Sequence, residues 1–136
     1  MTHLLDTSGM LTLLFDERGA DRVSEIIDDP ATVVGISVLT LFEVMTAAFH
    51  RFGSAGSAGQ VVAECVASVD RIVPVTEAVV RLAMELRQAG DARIATVNTL
   101  IAATAAHHGA ILVHRDPHFA ALPSGRPAQE RLPDKN

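Results

Sequence analysis

A chain of 136 residues has room for one folded domain and none for a second. Nearly half of it is apolar and only 20% is charged, which excludes a disordered chain and favours a well-packed core. A net charge of −5 with a single lysine, Lys135, excludes the basic surface of a protein that coats nucleic acid, so any grip on phosphates has to be local. The same acidity suits a basic peptide or protein partner. Cys65 is the lone cysteine, which rules out a disulfide framework and a cysteine-based zinc site; its valine neighbours suggest a packed thiol. No targeting segment opens the chain and no apolar run approaches the roughly 20 residues needed to span a bilayer, so a soluble cytoplasmic protein is expected.

The first element predicted is a short buried strand, His3–Asp6, followed by a helix from Ser8 whose broad apolar face includes Met10, Leu11, Leu13, Leu14 and Phe15. Gly19 interrupts it. A second helix is expected over Asp21–Asp28, stopped by Pro30. The β-branched run Val33–Ser37 reads as a strand, and Ser37 or Thr40 can cap the helix that continues through Phe49. Small residues from Gly53 to Gly59 suggest a flexible loop, with helix returning over Gln60–Val69. Ile72–Val75 looks like a strand carrying an edge proline. Thr76 caps a helix to Gln88, ended by Gly90. Asn98–His107 reads as a small-residue helix, Ile111–Val113 as a buried strand, and Gln129–Leu132 as a last edge strand. Strands alternating with helices imply an α/β sandwich around a parallel sheet, with ligands bound beyond the carboxyl ends of the strands.

That rule directs attention to polar residues at strand ends. Asp6 closes the first strand and Asp116 follows the strand Ile111–Val113, so both carboxylates open onto one edge of the sheet. Glu43 lies on the helix after the second strand, and Asn98 begins the helix before the fourth. Helix capping is an alternative explanation for Asp6, Asn98 and the Asp116-Pro117 pair. Glu43 has apolar neighbours on both sides, and a carboxylate in such company needs a partner or a metal. Converging carboxylates stay ionised only when a cation neutralises them. Hard oxygen ligands select Mg²⁺ or Mn²⁺, which can activate a water for attack on phosphorus. Metal-assisted phosphodiester hydrolysis is the chemistry this set suggests. Arg93 and Arg115 are candidate phosphate contacts, although either could equally be solvated.

Four segments then carry a family resemblance: Leu4–Ser8, Ser37–Val44, Asn98–Ala105 and Leu112–Phe119. In that order, and across almost the whole chain, they resemble the signature blocks of PIN-domain ribonuclease toxins of the VapC type. The resemblance implies a PIN-like sandwich with a parallel sheet of about five strands. It also implies an Mg²⁺- or Mn²⁺-dependent endoribonuclease, usually a homodimer, inhibited by a VapB-type antitoxin that can place an arginine in the acidic site. Asp6, Glu43 and Asp116 match the family's acidic positions, and Thr7 and Ser8 match polar positions beside the first. Two departures stand out. Asn98 occupies the third acidic position, where an amide keeps an oxygen but loses the charge, and His118 replaces a further aspartate two residues after the fourth acid. His118 could bind Mn²⁺ or phosphate, or be a plain surface residue. Without Tyr or Trp, recognition of a structured RNA by shape and backbone is expected, with tRNA or ribosomal RNA the targets the resemblance suggests.

The first two helices and the small-residue helix are expected to offer spare apolar surface for an amphipathic antitoxin segment. A catalytically weakened module that binds RNA or antitoxin is the main alternative function. A receiver-type phosphorylation domain is excluded, because Asp6 has no acidic neighbour and the only lysine lies in the tail.

Overall fold

The protein is described by a computed structural model that covers residues 1–90 and 93–136. Five strands form one sheet in the order β3-β2-β1-β4-β5: β1 His3–Leu5, β2 Val34–Ser37, β3 Arg71–Val73, β4 Ile111–His114 and β5 Gln129–Arg131. Every pairing is parallel. Among the described residues six α-helices cover the two faces: α1 Thr7–Leu14, α2 Ala20–Asp28, α3 Val38–Phe52, α4 Ala55–Ser68, α5 Glu77–Ala89 and α6 Thr96–His107. A short 3₁₀ helix, Pro117–Ala121, follows β4.

The central strands are apolar on both faces, as a sheet covered by helices requires. Leu4 and Leu112 lie side by side in the register, as do Leu5 and Val113. Because side chains alternate along a strand, the first pair joins a core with Val79, Leu86, Ile101 and Phe119 beneath α5 and α6. The second joins Met10, Val23, Ile36, Val44 and Cys65 on the opposite face. Cys65 is fully buried, as its neighbours suggested. No described helix is long and apolar enough to cross a membrane.

Local chemistry sets the element ends. Asp6 caps α1, accepting from the Gly9 amide at 2.7 Å. The Ser37 hydroxyl caps α3, and the Thr76 hydroxyl caps α5. Thr40, the other possible cap, sits one turn inside α3, with its hydroxyl 3.4 Å from that of Thr7.

Four expectations need correcting. The loop expected over Gly53–Gly59 shrinks to two residues: Gly53 ends α3 at φ 63°, and Ser54 immediately caps α4. A hydroxyl in the right place, with Ala58 buried against the neighbouring helix, outweighs the poor helix propensity of two glycines. Asn98 is not a cap, because α6 begins at Thr96 and places it in the first turn. The third strand ends at Val73, before Pro74, which has no N–H to offer a ladder. Finally, α1, α2 and α6 do not carry the spare apolar surface. The large exposed apolar residues fall mainly on α3 (Val38, Phe42, Met45, Phe49, Phe52) and α5 (Val80, Met84).

Gly9 brings α1 close against the carboxyl end of β4. A Cβ there would meet the Val113 carbonyl oxygen at 2.7 Å, well inside contact distance. The same carbonyl accepts the Asp6 amide at 3.1 Å, so it cannot retreat freely. Gly9→Ala is expected to lower the urea midpoint by an amount equivalent to about 1–3 kcal/mol, the usual cost of overpacking. An unchanged midpoint would show that α1 moves away without loss.

Candidate active site

The carboxyl ends of β1 and β4 are adjacent, and each delivers one acid: Asp6 directly after β1, and Asp116 two residues after β4. Asp6 is almost wholly buried, at 3% exposure. Its Oδ1 accepts from the Gly9 amide at 2.7 Å, and the Ser8 hydroxyl lies 2.7 and 2.9 Å from its two oxygens. Capping and a site role therefore coincide in this one side chain. Burial pushes its pKa up to about 7; the two hydrogen bonds oppose that rise, and the negative charges of Asp116 and Glu43 add to it.

Glu43 reaches the same region from α3, where the Thr7 hydroxyl donates to its Oε1. Thr7 and Ser8 thus serve different acids, Thr7 orienting Glu43 and Ser8 orienting Asp6. The apolar residues flanking Glu43 are not all core. Phe42 is 70% exposed, and it lines an open groove with Thr7, Leu11, Glu43 and Arg51. The absence of tyrosine and tryptophan therefore does not leave the region without a ring, since Phe42 stands one residue from Glu43.

Asp116 is held on both sides. Its Oδ1 accepts from the His118 amide at 2.9 Å and lies 2.7 Å from the His118 Nδ1. Its Oδ2 accepts from the Asn98 Nδ2 at 3.1 Å. Asn98 therefore sits in the cleft and presents a donor, where an aspartate would present a second negative charge. His118 is otherwise exposed, and with Arg93 it lines a neighbouring groove. Arg115 takes another direction: its Nη2 pairs with Glu17 at 2.9 Å, in a largely buried contact that Lys135 also reaches at 2.8 Å.

Two residues that sequence reasoning did not single out support the Asp116 loop. The Asp116 amide donates to His114 Nδ1 at 3.1 Å, and His114 Nε2 lies 2.9 Å from the Gln129 Oε1 of β5. Burial holds the His114 pKa below its usual value, against the Gln129 hydrogen bond and the charge of Asp116. A histidine at the end of an apolar strand was a visible signal; its partner, 15 residues on, was not.

Asp6, Glu43 and Asp116 offer only hard oxygen donors, a set suited to Mg²⁺ or Mn²⁺. Among the described residues, no three acidic, histidine or cysteine side chains are already closed around a single point. The fit rests instead on the buried Asp6 carboxylate and the two like charges that raise its pKa, an arrangement that a cation would relieve.

Acids delivered at the carboxyl edge of an all-parallel sheet define an α/β domain with an acidic cleft. Residues 3–124 match the PIN domain, and the chain belongs to that family. No curated protein matches in sequence. Solved structures match closely in fold. A chain of the VapBC2 complex of Rickettsia felis, bound to a promoter DNA fragment, superposes with a TM-score of 0.79 at 16% identity, covering 98% of this chain and 100% of that one. A chain of DNA-bound VapBC from Salmonella typhimurium gives 0.77 at 17% identity, covering 96% and 98%. Mycobacterium tuberculosis VapC20, described as a sarcin–ricin loop cleaving toxin, gives 0.68 at 23% identity, covering 88% and 94%.

The raised Asp6 pKa links stability to pH. In the unfolded chain this carboxyl loses its proton near 3.8, and in the fold it keeps it up to about 7. Between those values the folded state binds more protons, so its contribution favours folding at low pH and is lost as pH rises through 7. Asp6→Asn removes the titration. The metal-free variant is expected to gain on parent progressively between pH 4 and 7, by on the order of a few kcal/mol. Urea unfolding at several pH values measures the gain, and a difference that stays constant with pH would refute the assignment.

Proposed function

We propose that this chain is a metal-dependent endoribonuclease, the toxin half of a toxin–antitoxin pair acting in the cytoplasm. The observation that carries the reading is the buried Asp6 carboxylate at the edge where Asp116 and Glu43 converge. Asp6, Asp116 and Glu43 would hold Mg²⁺ or Mn²⁺. When bound, the ion would supply an activated water and charge neutralisation for attack on a phosphodiester. The protein's part is positional: Ser8 and Gly9 fix the oxygens of Asp6, Thr7 fixes Glu43, and His118 fixes Asp116.

RNA is the proposed substrate because a toxin with the same fold is described as cleaving the sarcin–ricin loop, a structured RNA. Arg93 and His118 line one groove beside the site and are the proposed phosphate contacts there. Arg115 would join them only by leaving Glu17. The matching VapBC complexes support a VapB-type antitoxin as partner. Separate exposed apolar patches on α3 and α5 support two interfaces, one for the antitoxin and one for a homodimer.

The Asn98 amide favours a second reading, a module that binds without cleaving. By donating to Asp116 it stabilises that carboxylate with no cation present, and it brings no charge of its own to a metal. One experiment separates the two readings. Purified protein is incubated with structured RNA and Mn²⁺ beside Asp6→Ala and Asn98→Asp. Cleavage that EDTA and Asp6→Ala abolish, and that Asn98→Asp raises about tenfold or more, is expected from the roughly 10–100-fold effects of disturbed metal sites. No cleavage by any form across several RNAs would favour the binding module.

A further inference from the structure

His114 closes β4 and is 2% exposed, with its ring tilted against that of Phe119 at a centroid distance of 4.7 Å. Its hydrogen bonds fix its tautomer. The Gln129 Nε2 donates to the Phe119 carbonyl at 3.1 Å, which orients that amide and turns its Oε1 toward the imidazole. An amide oxygen only accepts, so the His114 Nε2 carries the hydrogen. The Nδ1 lone pair is then free to accept the Asp116 amide at 3.1 Å.

Around this contact the loop after β4 is pinned at three nearby amides. Arg115 N–H donates to the Ser8 hydroxyl at 2.8 Å, Asp116 N–H to His114, and His118 N–H to the Asp116 carboxylate at 2.9 Å. Ser8 in turn holds Asp6. The Asp116 carbonyl accepts from the Phe119 amide at 3.3 Å, within the 3₁₀ turn that follows. The middle bond is the one that holds the Asp116 amide, and it depends on a side chain rather than on the strand ladder.

We propose that His114 is a positioning residue for the metal-binding cleft: its Nδ1 holds the Asp116 amide, and the Gln129–Phe119 relay keeps that nitrogen an acceptor. The proposal rests on the nuclease reading only for its consequence, because the hold on Asp116 can be measured without metal. Two substitutions separate the two ring nitrogens. In His114→Asn the amide oxygen takes the place of Nδ1 and keeps the acceptor, whereas in His114→Gln the terminal amide takes the place of Nε2 and keeps only the contact with Gln129. Both lose the ring, so a merely space-filling role predicts similar behaviour.

The first measurement is the ¹⁵N spectrum of the metal-free parent together with hydrogen exchange at the Asp116 amide in all three forms. Expected are an Nε2–H tautomer, protection retained in His114→Asn and protection lost in His114→Gln. An Nδ1–H tautomer, or equal protection in both variants, would overturn the proposal; should neither variant fold, the parent's tautomer still decides. The second measurement is Mn²⁺ affinity by paramagnetic resonance. His114→Gln is expected to bind roughly 10–100-fold more weakly than parent, with His114→Asn within a few-fold. Equal affinities in the two variants would remove His114 from the site. A parent that shows the tautomer and the protection but binds no Mn²⁺ would refute the metal-nuclease reading and leave the hold on Asp116 standing.

Discussion

A carboxylate at the end of a central strand, buried beneath its own helix and facing two other acids, is the constraint around which the rest of this edge is organised. Burial alone would strip Asp6 of its hydration, and the like charges of Asp116 and Glu43 deepen the penalty. What offsets it is local. The first turn of α1 presents the Gly9 amide and the Ser8 hydroxyl, and the positive end of the helix dipole lies behind them. Gly9 is essential to this arrangement, because only a residue without a side chain lets the helix start so close to the Val113 carbonyl. Sequence, backbone approach and electrostatics meet in four consecutive residues, Asp6 to Gly9.

The legible parts of the fold were those encoded by short-range chemistry. The Asp6, Ser37 and Thr76 caps and the stop at Gly90 all depend on residues within a few positions of one another. The convergence of Asp6, Glu43 and Asp116 on one edge followed from a general property of parallel sheets rather than from spacing. The early start of α4 was hidden because glycine and serine favour turns in isolation, and only packing against α3 makes them helical. Apolar neighbours around Glu43 suggested burial, yet Phe42 and Met45 point to solvent, since a helix turns its sides through 100° per residue. The Gln129–His114–Asp116 relay was illegible for a different reason: β5 returns to the sheet only after a loop whose path no local pattern specifies.

Charge is distributed with similar economy. The chain is acidic overall, and several of its arginines are already engaged: Arg22 with Glu130, Arg131 with Asp134, and Arg115 with Glu17. The Glu17 contact also receives Lys135, so a single partly buried carboxylate joins the turn after α1, the loop after β4 and the carboxyl-terminal segment. Removing one partner of a partly shielded pair leaves an uncompensated charge, which costs more than loss of a fully exposed pair. The loop that carries Asp116 is therefore restrained from outside the cleft as well as from within.

The placement of Asp6 and Asp116 just beyond the ends of neighbouring strands has a dimensional consequence. Adjacent strands in any sheet stand about 4.8 Å apart, a spacing set by the peptide hydrogen bond and insensitive to side chains. With Leu5 in register beside Val113, Asp6 and the chain leading to Asp116 leave the sheet one strand spacing apart. Asp116 itself lies two residues beyond β4, so the lattice sets where its loop begins and the loop's own hydrogen bonds set where the carboxylate comes to rest. The strands lay the foundations of the cleft; its loops and helices decide what stands on them.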